Sequence, residues 1–135
     1  MITQPKFAWL FCLVPIAASW MFDLPQILAI PLKESMGIQE KSILLMYSVY
    51  SIPNLVFVFI GGFIVNKYGS IVFLACLFIG FFGNSLFSIG IAADSYYVML
   101  IGRLFVGMGS ESGITASYYT LTNYWQSETL RFYNA

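Results

Sequence analysis

Histidine is absent from the 135 residues, and charge is scarce, with six basic and six acidic residues making up 9% of the chain. Lacking histidine, the sequence lacks the commonest general base and metal ligand, which argues against zinc chemistry and Ser-His catalysis. A formal net charge of zero argues against a nucleic-acid partner, which calls for a basic face. There are two cysteines, Cys12 and Cys76, both inside apolar runs. They read as small buried hydrophobes rather than a disulfide framework, and they say nothing about compartment. No nucleophile–base pair, metal cluster or cofactor motif is visible, so the chain reads as a non-enzyme with no metal and no cofactor.

What is abundant is apolar: 59% of the residues are hydrophobic, against roughly 45–50% in soluble domains. So few charges cannot coat that much apolar surface, so the solvent for most of the chain is a lipid bilayer. A spanning helix needs about 20 predominantly apolar residues. Four stretches qualify: Phe7–Ile30, Ile43–Val65, Ile71–Ala93 and Tyr96–Leu121. The connections between them are Pro31–Ser42, Asn66–Ser70 and Asp94–Ser95. Loops this short make neighbouring helices antiparallel. The stretch Tyr47–Ser70, with its Pro53-Asn54 pair and double glycine at Gly61-Gly62, ends abruptly in a turn carrying Lys67 and leads straight into the third helix.

The first stretch has a competing reading as a signal peptide, with Lys6 as its basic start and Ala17-Ala18-Ser19 loosely resembling a cleavage site. Against that, the apolar run resumes at Ile27–Ile30, too long for the usual signal core. Pro15 and Pro25 predict kinks. Lys6, Lys67 and Arg131 on one side against Lys33 and Lys41 on the other place both ends and the Lys67 turn in the cytoplasm. From Thr122 to Glu128, with Tyr124 and Trp125, the sequence turns amphipathic and interfacial, as a helix leaving the membrane would, and Leu130–Tyr133 reads as the start of another element. The end at Ala135 reads as falling partway through a larger protein.

Charged groups within a spanning helix cost at least about 2.5–3.5 kcal/mol each at its centre, which makes them functional candidates. There are three: Asp23, Arg103 and Glu111. Asp23 lies seven positions before Ile30 and Arg103 seven after Tyr96, so both sit roughly 10 Å below the same surface. Equal depth makes them a plausible ion pair, either functional or one that only neutralises itself and locks two helices. Glu111, close to the midplane, has no cation at matching depth. It has four open readings: holding a substrate ammonium, carrying a coupling proton, pairing with a cation from a helix beyond this chain, or staying neutral and hydrogen-bonded. Asn54 and Asn84 are intramembrane amides for which interhelical hydrogen bonds are the default, with a cavity contact as the alternative for Asn54. Gly109 and Gly113 form a small-xxx-small face for close helix approach, and Gly80 and Gly83 read the same way. Tyr47, Tyr50, Tyr118 and Tyr119 fall near helix ends, as an interfacial belt would.

The segment Gly62-Phe-Ile-Val-Asn66-Lys67-Tyr68-Gly69 resembles the loop between the second and third helices of the major facilitator superfamily. That pattern is usually Gly-x-x-x-Asp-Arg-x-Gly-Arg followed by Arg or Lys. Gly102-Arg103-Leu-Phe-Val-Gly107-Met-Gly109 is similar to the superfamily's fourth-helix motif. Asp23-Leu24-Pro25, the Tyr47–Asn54 segment and Gly109-Ser110-Glu111-Ser112 look most like its lysosomal dipeptide transporter branch. The resemblance implies an all-α membrane protein, with residues 1–135 supplying four transmembrane helices of the N-terminal six-helix half. The two halves of such a protein hold a solute between them and alternate access by rocking. It also implies that Arg103 matches the fourth-helix arginine and that Glu111 faces the central cavity, where a carboxylate suits a peptide's amino terminus. The gating loop Gly62, Asn66, Lys67, Gly69 departs from the pattern, since Asn66 stands for the Asp and Lys67 for the first Arg. Ser70 and Ile71 stand for the later basic residues, which puts the family's charge latch in doubt.

Two functions remain. One is transport of a small solute, possibly a dipeptide, through a site of Glu111, Arg103, Asp23 and Asn54. The required partners are then a small-molecule solute and the missing C-terminal helices, in a multi-pass protein of lysosomal or other endomembranes. The alternative is a non-transporting membrane subunit or degenerate fragment that packs through its glycine faces against another membrane subunit.

Overall fold

The computed structural model describes residues 8–133, with side chains over 13–123 and at 126. Five helices follow one another: α1 (Ala8–Ile27), α2 (Ala29–Met36), α3 (Glu40–Tyr68), α4 (Ile71–Ala92) and α5 (Tyr96–Tyr133). The side chains of Lys6, Cys12, Tyr124, Trp125 and Arg131, used in the readings above, lie outside the described residues.

The first expected span is a bent pair. Helix passes through Pro15 without a break, and the chain bends by 41° between the Leu13–Ile27 segment and α2. The break follows Pro25, whose missing N–H leaves one carbonyl of the preceding turn without its helical partner. Helix then resumes and consumes most of the expected Pro31–Ser42 loop. Pro31 is tolerated because it sits in the first turn of α2, where backbone N–H groups have no intrahelical acceptor. Gly37 stops α2 in the left-handed conformation (φ 64°), its N–H donating to the Lys33 carbonyl at 3.1 Å. An exposed Lys33–Glu40 ion pair at 3.7 Å bridges the short connection to α3.

Helix α3 runs 29 residues, straight through Pro53, or about 44 Å, enough to overshoot a hydrocarbon core of about 30 Å. Gly69 ends it with φ 63° and ψ −143°, its N–H reaching the Val65 carbonyl at 2.8 Å. α4 begins two residues later. Between α4 and α5, Asp94 takes a positive φ of 48°, and the Ser95 N–H reaches back to the Gly90 carbonyl at 2.9 Å. α5 does not break where the sequence turns interfacial: one helix of 38 residues continues beyond Leu121 to Tyr133.

Two helices, α3 and α4, are long and apolar enough to cross a membrane, and the bent α1–α2 pair makes a third among the described residues. α5, expected as a fourth apolar span, does not meet that standard of composition. The reason is its position. α5 packs against α4, α3 and α1, burying Gly102, Arg103, Gly107, Ser110 and Ser112. A helix wrapped by its neighbours takes its composition from packing rather than from lipid. The outward faces of α3 and α4, by contrast, expose Phe59, Phe63, Phe78 and Phe81, a surface suited to lipid and not to water.

The α4–α5 seam depends on glycine. A Cβ on Gly83 would come within 2.6 Å of the Val106 nitrogen, one on Gly102 within 2.6 Å of the Phe87 nitrogen, and one on Gly109 within 2.6 Å of the Cys76 carbonyl. Gly113 makes only an ordinary contact (3.5 Å to the Cys76 Cβ), and a Cβ on Gly80 would meet open space. The close approach therefore runs through Gly83, Gly102 and Gly109. Gly80 instead lines an apolar cavity of about 180 Å³ between α1, α4 and α5, beside the buried thiol of Cys76.

Candidate functional site

Helical spacing brings side chains of three helices to one place. Ser19, Phe22 and Asp23 share a face of α1, and Tyr50, Ser51 and Asn54 a face of α3, because residues three and four apart are neighbours on a helix. With Glu111 and Ile114 of α5 they line a cavity of about 340 Å³. Asp23, Asn54 and Glu111, singled out separately from the sequence, therefore meet around one space. Neither carboxylate has a hydrogen bond or an ion pair among the described residues, and Asp23 is exposed to the opening.

Arg103 does not join them. The expected Asp23–Arg103 ion pair is not formed. The guanidinium is fully buried and donates through Nη1 to the Met21 carbonyl (2.5 Å) and through Nη2 to the Phe22 carbonyl (2.7 Å). Pro25 explains the choice. It has no N–H for the carbonyl four residues back, that of Met21, and a cation from α5 takes the vacant acceptor. Around the guanidinium stand Tyr50, Phe87 and Tyr47, with ring centroids at 5.2, 5.6 and 5.8 Å, within cation–π range. Phe22 packs edge-on against both tyrosines at 5.1 Å. Tyr47 and Tyr50 are thus a cage for Arg103 rather than an interfacial belt. Their i, i+3 spacing on the face that also carries Asn54 was the available signal. Tyr50 continues the wall by pairing its hydroxyl with Ser110 Oγ at 2.7 Å, next to Glu111.

The cavity therefore holds two carboxylates, two serine hydroxyls and an amide, and no cation lines it among the described residues. Asn54 Oδ1 is buried and unpartnered, as is Asn84 Oδ1 in α4. The interhelical hydrogen bonds expected of these oxygens are not made. Ser112 instead links α5 to α3, donating to the Phe57 carbonyl at 2.7 Å, and Gly61 makes room for it, since a Cβ there would lie 3.0 Å from Ser112 Cβ.

The Major Facilitator Superfamily family model matches residues 9–135. The chain belongs to the Major Facilitator Superfamily. It is 31% identical over 108 residues to the lysosomal dipeptide transporter of Bos taurus, covering 76% of this chain and 22% of that protein. It is 30% identical over 108 residues to the one of Homo sapiens (76% and 23%), and 27% identical over 124 residues to the one of Danio rerio (88% and 26%). The chain spans about a quarter of the length of the curated relatives it matches. No solved structure matches it. The superfamily is one of membrane transport, not of catalysis, and its members are multi-pass membrane proteins, in keeping with the apolar helices.

The segment that resembles the superfamily's loop motif does not line the cavity and sits at the end of α3. Gly69 supplies the positive φ that ends the helix, whereas Gly62 has open space where a Cβ would stand. Asn66 and Lys67 are exposed, and Lys67 Nζ lies over the Tyr68 ring at 5.4 Å, with no carboxylate partner among the described residues.

Proposed function

We propose that the chain contributes four membrane-spanning segments of the N-terminal half of a secondary transporter, the bent α1–α2 pair serving as the first and α5 as the fourth. The transporter moves a small zwitterionic solute, a dipeptide, by alternating access across a lysosomal or related membrane. The observation that carries this reading is the cavity between α1, α3 and α5. A carboxylate at mid-helix depth with no protein partner is costly unless a ligand or solvent answers it. Glu111 is such a group, and a peptide's ammonium is the fitting answer. Asn54 adds an acceptor, and Arg103 sets the wall from behind rather than touching solute. Binding near the midplane, between elements that rock against a second half, is how secondary transporters work. The similarity to lysosomal dipeptide transporters supports the choice of solute and organelle.

The test is Glu111→Gln in the protein expressed from its complete reading frame and reconstituted into proteoliposomes. Dipeptide uptake falls at least about a hundredfold while the amount of folded protein is unchanged, since removing one member of a buried charge pair costs about 3–5 kcal/mol. Uptake at the unmodified rate removes Glu111 from the site. Folded protein that takes up no dipeptide even with Glu111 in place favours the non-transporting subunit instead.

A further inference from the structure

The cavity between α1, α4 and α5 is of another kind. It arises because the helices are held unequally. Glycine draws α4 and α5 into backbone contact, while α1 rests on α5 without packing closely along α4. Small residues face the gap that results: Ala17 and Ala18 from α1, Gly80 from α4, Gly109 and Gly113 from α5. A Cβ added to Gly80 meets nothing within 4 Å. Two side chains on the wall can donate a hydrogen bond. The Ser110 hydroxyl is paired with Tyr50 at 2.7 Å, and the Cys76 thiol, 7% exposed, makes no hydrogen bond among the described residues.

A buried water needs about two to four polar partners, so this space excludes water. An apolar cavity of about 150 Å³ stays dry and admits benzene. At about 180 Å³, this one has room for about six or seven carbons. Cys76 and Gly80 lie five and nine residues into α4, about 8 and 14 Å from its end, at hydrocarbon depth. Leu13 of α1 and Leu77 of α4 both line the cavity and are exposed (46% and 41%). The space therefore opens outward between α1 and α4, beside Phe81, one turn beyond Leu77 and exposed as well. A lipid tail at that opening gains nothing by leaving water, but it gains the dispersion contacts that an empty space forfeits.

We infer that this cavity is a lipid-binding site, which takes the end of one acyl chain from the bilayer between α1 and α4. The inserted chain supplies the packing that α1 lacks against α4. Ala18 lines both cavities, so the chain also braces a wall of the solute space from behind. The site does not depend on which solute is carried.

The experiment uses the protein expressed from its complete reading frame, in phosphatidylcholine vesicles doped with a phosphatidylcholine that carries a diazirine near the end of one acyl chain. Irradiation expels nitrogen, and the carbene left behind inserts into a neighbouring S–H or C–H bond; digestion and mass spectrometry locate the adducts. The expected result is an adduct on Cys76 as well as on the exposed Phe59 and Phe63 of α3. Gly80→Leu, whose side chain grows into the cavity, lowers the Cys76 adduct at least about tenfold, well within what filling such a space allows, and leaves the Phe59 and Phe63 adducts unchanged. On the unmodified protein, benzene lowers the Cys76 adduct selectively, a comparison that holds even if Gly80→Leu does not fold. Adducts on Phe59 and Phe63 with none on Cys76 overturn the site and show the cavity filled by the protein itself. A Cys76 adduct that neither Gly80→Leu nor benzene diminishes overturns it too.

Discussion

The pairing of Arg103 with the carbonyl that Pro25 leaves vacant makes a quantitative prediction. Arg103→Gln removes two charge-assisted hydrogen bonds, to Met21 and Phe22, each worth about 1.5–3 kcal/mol. Relief from burying a guanidinium offsets part of this, leaving a net loss of about 2–4 kcal/mol. Pro25→Ala gives the Met21 carbonyl a helical N–H and loses the packing of a fully buried ring, a cost of about 1 kcal/mol. The two changes share one acceptor, so they do not add. In Pro25→Ala, Arg103→Gln strands one carbonyl fewer, and the double mutant recovers about 1–2 kcal/mol relative to the sum of the singles. Unfolding of the purified protein in mixed micelles titrated with sodium dodecyl sulfate reads all four corners of the cycle. Additivity within about 0.5 kcal/mol would refute the assignment of Arg103 to the proline-released carbonyl.

The same titration checks two further consequences. Gly83→Ala, whose Cβ would press on Val106 and Gly102 backbone, destabilises by about 1–3 kcal/mol, whereas Gly62→Ala, with open space at its Cβ, is neutral or stabilising by up to about 1 kcal/mol. Gly69→Ala places a side chain in backbone that only glycine readily adopts (φ 63°, ψ −143°) and costs about 1–3 kcal/mol, although it touches neither the cavity nor the seam. A loss at Gly62 as large as at Gly83 would contradict the seam described above.

Much of this was legible before any coordinates. α4 matches its expected limits to within a residue, because an uninterrupted apolar run between Gly69-Ser70 and Ala93-Asp94 leaves no other choice. Asp23, Asn54 and Glu111 stood out because polar groups in apolar runs are costly, and the fold sets them around one cavity. What depended on tertiary contacts was not legible. Depth arithmetic put Asp23 and Arg103 at one level, but rise per residue says nothing about azimuth or about competing acceptors. The backbone opened by Pro25 outcompetes the carboxylate. The tyrosines of α3 look the same whether they meet headgroups or a guanidinium. Likewise, a helix enclosed by others need not be as apolar as one facing lipid, so counting apolar runs does not by itself establish α5 as a fourth span.

The central claim is that the space between α1, α3 and α5 is where solute binds, and labelling at Ser51 tests it most directly. Ser51 lines the cavity and is exposed to it. In a protein with its own cysteines replaced, Ser51→Cys is expected to react with a water-soluble methanethiosulfonate, and saturating dipeptide is expected to slow that reaction at least about tenfold. Modification at an unchanged rate with dipeptide present, in protein that still transports it, would contradict the claim.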